Sequence, residues 1–79
     1  MKDMEFKDKV VVVTGGAHGI GKCICEEFAK AGAHVCVIDL RENAYFQGDL
    51  ANKETLERFA EKVIAEYGHV DVLVNNAIT

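Results

Sequence analysis

The chain has 79 residues, 49% hydrophobic and 28% charged, which describes one globular domain and excludes a disordered segment. Nine Lys+Arg against thirteen Asp+Glu give a net charge of −4, with no basic face of the kind a nucleic-acid binder needs. No apolar run approaches the roughly 18 residues of a membrane span, and the acidic Met1–Glu5 start does not resemble a signal peptide.

Residues 10–13, Val-Val-Val-Val, are apolar without alternation and end at Thr14-Gly15-Gly16. That pattern predicts a strand buried on both faces of a parallel sheet. From Ile20 the period changes: Ile20, Cys23, Ile24, Phe28 and Ala31 follow helical spacing, and Gly32 suits a C-terminal stop. Cys25, Glu26 and Glu27 are then expected on the outer face of this helix. Val35–Ile38 is a second buried strand ending at Asp39. Tyr45-Phe46-Gln47 is a short third strand closed by Gly48-Asp49. Leu56, Phe59, Ala60, Val63, Ile64 and Tyr67 form a second helical stripe, with Asn52 as N-cap and Gly68 as stop. Val70–Val74 is the fourth strand, before Asn75-Asn76-Ala77-Ile78-Thr79.

The order β-α-β-β-α-β implies an α/β fold, a Rossmann-like three-layer arrangement with an open parallel sheet. One connection is unusual. Only Leu40–Ala44 separate Asp39 from Tyr45, whereas a parallel crossover takes a dozen residues or more. The third strand is therefore expected to be short, at the sheet edge and reached by an irregular loop, with an antiparallel hairpin as the competing geometry.

The three cysteines, Cys23, Cys25 and Cys36, form neither a disulfide framework nor a zinc-ligand pattern. Reduced thiols fit a cytoplasmic protein. His34 and His69 read as solvated residues preceding strands.

The chemistry concentrates at Thr14-Gly15-Gly16-Ala17-His18-Gly19-Ile20-Gly21, between the first strand and first helix. Glycine there permits a tight turn, lets a pyrophosphate approach the unpaired N–H groups of the helix start, and allows close strand–helix packing. A structural turn without ligand is the alternative. His18 within it either touches a phosphate or is a tolerated exposed loop residue. Asp39, 18 residues after Gly21, is placed to hydrogen-bond the adenosine ribose and to repel a 2′-phosphate. That favours NAD over NADP, although Lys22 and Arg41 nearby leave NADP open. The alternative reading of Asp39 is a solvated strand-end carboxylate.

Four motifs in order resemble the N-terminal, cofactor-binding half of a short-chain dehydrogenase/reductase: Thr14-Gly15-x-x-x-Gly19-x-Gly21, Asp39, Asp49-Leu50 and Asn75-Asn76-Ala77. The resemblance runs from Phe6 to Ala77. It implies that Gly15, His18, Gly19, Ile20 and Gly21 hold the pyrophosphate side, and that Asp39 holds the ribose. Asp49 and Leu50 then contact adenine, and Asn75 and Ala77 line the far ribose side. It further implies hydride transfer between an alcohol or carbonyl substrate and a nicotinamide cofactor, in a homo-oligomer.

Three departures stand out: Ile78 replaces the family's glycine, the helix between the second and third strands is missing, and Ala51 replaces a Ser cap. The family's Ser and Tyr-x-x-x-Lys are also absent. No serine occurs, and Tyr45 and Tyr67 are followed four residues later by Asp49 and Asp71. Catalytic residues are thus expected beyond Thr79, and residues 1–79 are read as a partial Rossmann domain truncated after its fourth strand. The rival reading is a non-catalytic dinucleotide-binding or interaction module that uses the Val70–Val74 edge. Another Rossmann ligand, an S-adenosyl cofactor, is disfavoured by Asn75-Asn76-Ala77.

Overall fold

A computed structural model describes residues 4–77; Ile78 lies outside the described residues. The elements are β1 (Val10–Thr14), α1 (Gly19–Lys30), β2 (His34–Asp39), β3 (Phe46–Gln47), α2 (Lys53–Tyr67) and β4 (Val72–Asn75). All four strands are parallel, in the order β3-β2-β1-β4. This is the Rossmann-like sheet the element order implies.

The valine run behaves as its pattern requires. Val10 to Val13 are each no more than 6% exposed, because both sheet faces at β1 are covered. Val10 and Val12 join Cys36, Ile38, Phe59 and Val63 in the core under α2, with Tyr45, Phe46, Leu50 and Tyr67 at its margin. Each such apolar side chain contributes ~1.5–3 kcal/mol on full burial. Alternate residues of β1 and β2 point to the opposite face, where α1 packs.

Three rotations and ends depart from the sequence reading. Ile20 is 76% exposed and Cys23 is exposed, whereas Gly21, Ile24, Cys25 and Phe28 face inward. A side chain at Gly21 would run into the Gly15 carbonyl, so glycine must face the strand turn there, and this sets the helix rotation. One turn on, Cys25 Sγ lies against Gly16 and is not on the outer face. On α2, Phe59 and Val63 are buried, but Leu56 and Ile64 are 41% and 52% exposed. A cavity of about 480 Å³ separates that side of α2 from β4, beside Val70 and Leu73. Finally, β4 starts at Val72, because Asp71 turns its carboxylate onto the Val10 N–H at 2.7 Å. His34, expected as solvated, is exposed but stacks on Tyr67 with ring centroids 4.9 Å apart.

The short connection resolves as a parallel edge strand, so the hairpin alternative falls. Phe46 and Gln47 pair only with Ile38 and Asp39, the last two residues of β2. The chain therefore has to return by only a residue or two, about 3–7 Å, and needs no helix to do so. Asn43 folds the loop: its side-chain oxygen accepts the Tyr45 and Phe46 N–H groups at 2.9 Å, and its amide donates to the carbonyls of Arg41 and Phe46 at 3.0 Å. The helix stops behave as read. Gly32 and Gly68 have φ of +92° and +80°, and Asn52 caps α2 by accepting the Thr55 N–H at 3.0 Å.

Candidate functional site

The carboxyl ends of β1, β2 and β4 meet at the glycine turn. Gly15 leaves β1 with φ +71° and donates its N–H to the Ile38 carbonyl at 2.9 Å. A Cβ at Gly15 would sit 3.1 Å from Ala77 Cα, so the β1 exit and the β4 exit touch. Gly19, at φ +57°, has nothing within 4 Å of a would-be Cβ and faces open space. His18 is the N-cap of α1 but makes no side-chain cap bond, and the first turn carries no acidic residue. The N–H groups of that turn, which a helix cannot pair internally, are left for an external acceptor, and the helix dipole favours an anion there.

Asp39 closes the turn from the side of β2. Its Oδ2 accepts the Ala17 N–H at 3.0 Å, its Oδ1 accepts the Arg41 N–H at 2.8 Å, and His18 Nδ1 lies 3.5 Å from Oδ2. Asp39 is 7% exposed. Burial pushes its carboxyl up, but the N–H bonds from Arg41 and Ala17, with the charges of His18 and Arg41, outweigh this and hold it below the usual carboxylate range. A buried carboxylate that organises a loop is a different object from a solvated strand end.

The end of β4 is fastened to the same turn through Thr14. Its Oγ1 accepts the N–H groups of Asn76 at 2.9 Å and Ala77 at 3.1 Å and approaches Asn75 Oδ1 at 3.1 Å. Asn76 Nδ2 donates to the Gly15 carbonyl at 3.0 Å.

These pieces enclose a cavity of about 400 Å³. Gly15, His18, Gly19 and Ile20 of the turn, Asp39 and Leu40 at the end of β2, Asp49 and Leu50 after β3, and Asn76 and Ala77 after β4 all line it. Two residues expected there lie elsewhere. Gly21 is buried behind the turn, and Asn75 borders the cavity between α2 and β4. Asn76, singled out in sequence only as part of a motif, takes the lining position, because strand alternation sends neighbouring side chains to opposite faces. Asp49 is exposed, and its Oδ1 accepts the Ala51 N–H at 2.9 Å, so part of its acceptor capacity shapes the loop.

Among the described residues no group of three or more His, Cys, Asp or Glu could hold a metal ion, and no helix is long and apolar enough to cross a membrane. An anionic ligand with a sugar fits the residues present: unpaired helix N–H groups and a side-chain-free approach at Gly19 for the anion, and a fixed carboxylate for hydroxyl groups.

A family model described as short chain dehydrogenase matches residues 9–78, and the chain belongs to that family of oxidoreductases. Among curated proteins it is 35% identical to an NAD-dependent glycerol dehydrogenase of Listeria innocua, over 96% of this chain and 35% of that protein. It is 34% identical to a probable galactose dehydrogenase of Rhizobium meliloti, over 92% of this chain and 35% of that protein. Among solved structures, ligand-free aldohexose dehydrogenase of Thermoplasma acidophilum matches with a TM-score of 0.84 and 34% identity, covering 96% of this chain and 32% of that one. The chain thus spans about a third of the length of these relatives.

Proposed function

We propose that this chain is the NAD(H)-binding portion of an oxidoreductase that transfers hydride between an alcohol or carbonyl substrate and a nicotinamide cofactor. The observation that carries the reading is Asp39, a buried carboxylate that lines the cavity while it braces the glycine turn through Ala17. In this reading the first-turn N–H groups of α1 and the glycine backbone hold the pyrophosphate. The Asp39 carboxylate accepts from the adenosine ribose, Asp49 and Leu50 border adenine, and Asn76 and Ala77 border the far ribose. The nicotinamide, when bound, supplies the hydride donor or acceptor. The NAD dependence of the Listeria relative supports NAD over NADP, as does the negative charge of Asp39.

These 79 residues contain no serine and no Tyr-x-x-x-Lys, so their part is to hold the cofactor. The proton transfers and the substrate pocket belong to residues following Thr79 in a longer protein. A cytoplasmic location is part of this proposal and rests on the three free thiols. Calorimetric titration with NAD⁺ tests it. Binding weakened about tenfold by Asp39→Ala, a loss of ~1.4 kcal/mol, supports the ribose contact; unchanged affinity removes it. Ketone turnover by the isolated chain, with no partner added, contradicts the assignment of chemistry to later residues.

A second reading, a non-catalytic interaction module, is favoured by one observation. Leu73 is 65% exposed on the free edge of β4, facing the uncovered side of α2 with Ile64 at 52%. Unpaired edges of this kind recruit further strands or partner chains. Homo-oligomer formation through that edge is the form this reading takes, and sedimentation of the chain as a concentration-independent monomer contradicts it.

A further inference from the structure

We propose that Tyr45 is a positioning residue for this cavity: its hydroxyl, bonded to Glu66, latches segment 40–50 to α2 and so holds Asp49 and Leu50 where a dinucleotide meets them. The inference rests on the dinucleotide reading above and adds to it a residue outside the cavity. Leu40, Gly48, Asp49 and Leu50 of that segment line the cavity, yet the sheet holds little of it. Strand β3 has two residues, paired with Ile38 and Asp39 alone, and the Gly48 N–H reaches the Asp39 carbonyl at 2.9 Å. Asn43 bonds to Arg41, Tyr45 and Phe46, all within the segment, so it shapes the loop without fastening it.

The fastening comes from Tyr45. Its hydroxyl donates to Glu66 Oε1 at 2.9 Å, the one hydrogen bond among the described residues between this segment and residues 53–67. Lys62 Nζ donates to Glu66 Oε2 at 2.7 Å and lies 4.5 Å from the centre of the Tyr45 ring. That ring meets Phe59 edge-on with centroids 6.0 Å apart, and Phe46 meets Phe59 at 5.5 Å. Burial, then the Glu66 bond and the neighbouring Cys36 thiol, push the phenol above its usual range, so it stays a donor. A bond to an ionised acceptor is stronger than a neutral one. Tyr45 thus joins the loop to α2 three residues ahead of Gly48. A loop that swings off α2 lowers the fraction of chains able to bind, and apparent affinity falls with that fraction.

Amide hydrogen exchange and calorimetric titration with NAD⁺ test this on the 79-residue chain. The variants are Tyr45→Phe, Glu66→Ala, Glu66→Gln and the Tyr45→Phe/Glu66→Ala double. Tyr45→Phe keeps the ring against Phe59 and removes only the hydroxyl. It is expected to speed exchange at Gly48 about three- to tenfold and to weaken NAD⁺ about two- to fivefold. Exchange at Gly15 is expected to stay unchanged. The Gly15 N–H bonds the Ile38 carbonyl at 2.9 Å outside the segment, so a general loss of stability would move both amides. Glu66→Ala is expected to match Tyr45→Phe, and the double variant to be no weaker than either. Glu66→Gln, which keeps an acceptor for the hydroxyl, is expected to bind NAD⁺ within about twofold of the wild type. Wild-type NAD⁺ affinity in Tyr45→Phe, equal rises at Gly48 and Gly15, losses that multiply in the double variant, or Glu66→Gln as weak as Glu66→Ala overturns the latch while NAD⁺ binding stands. Absence of NAD⁺ binding by the wild type overturns the dinucleotide reading and the positioning role with it.

Discussion

Asp39 Oδ2 accepts the Ala17 N–H at 3.0 Å, so the last residue of β2 holds the glycine turn that follows β1. Removing the side chain leaves the Ala17 and Arg41 N–H groups without their partner. Asp39→Ala is expected to cost ~1–3 kcal/mol of stability, measured by denaturant unfolding, in addition to weakening NAD⁺. Asp39→Asn keeps one acceptor and is expected to recover part of the stability. Equal stability of both variants and the wild type would show that the bond to Ala17 does not brace the turn.

Gly19 and Gly21 differ in why they must be glycine. At Gly21 a Cβ meets the Gly15 carbonyl and Asn76 Nδ2, so Gly21→Ala is expected to cost about 2–3 kcal/mol by overpacking and to displace the turn. At Gly19 there is space but φ is +57°, so Gly19→Ala is expected to cost only ~1–2 kcal/mol in backbone strain. Urea unfolding of the two variants checks the ranking; a larger loss at Gly19 contradicts it.

Thr14 is the fastening between β1 and the end of β4, through its bonds with Asn76 and Ala77 at 2.9 and 3.1 Å. Thr14→Val keeps the shape and removes the acceptor. It is expected to destabilise the chain by ~1–3 kcal/mol and to raise hydrogen exchange at Asn76 and Ala77. Unchanged exchange at those two amides would show that Thr14 is not what holds them.

The Val10 N–H bond, with His69 Nε2 at 2.9 Å, holds the Asp71 carboxyl below the usual carboxylate range. A lowered folded-state pKa gives stability that is present above the unfolded value, about 3.9, and lost as pH falls through the folded value. Acid unfolding is therefore expected to be less steep in Asp71→Asn than in the wild type over that interval. An unchanged acid slope contradicts the linkage.

Much of this was legible because buried strands and glycine stops leave one-dimensional patterns. The valine run, Val35–Ile38 and the caps at Asn52, Gly32 and Gly68 all read directly. Two features were not legible for a geometric reason. The rotation of α1 depends on Gly21 facing a carbonyl it cannot approach with a side chain, so the apolar Ile20 turns outward and Cys25 turns in. The Asn75–Asn76 pair has identical side chains, and only the phase of a short strand decides which one borders which cavity. The bond from Ala17 to Asp39 spans 22 residues and has no local signal.

In the proposed function, the cavity at the glycine turn holds a dinucleotide by its adenosine and pyrophosphate. The most direct measurement is an amide NMR titration of the chain with NAD⁺. Shifts are expected at Gly15, His18, Gly19, Ile20, Asp39, Asp49 and Leu50, with little change at Val70 or Leu73. Shifts confined to the α2–β4 side, or none at millimolar NAD⁺, would contradict the account.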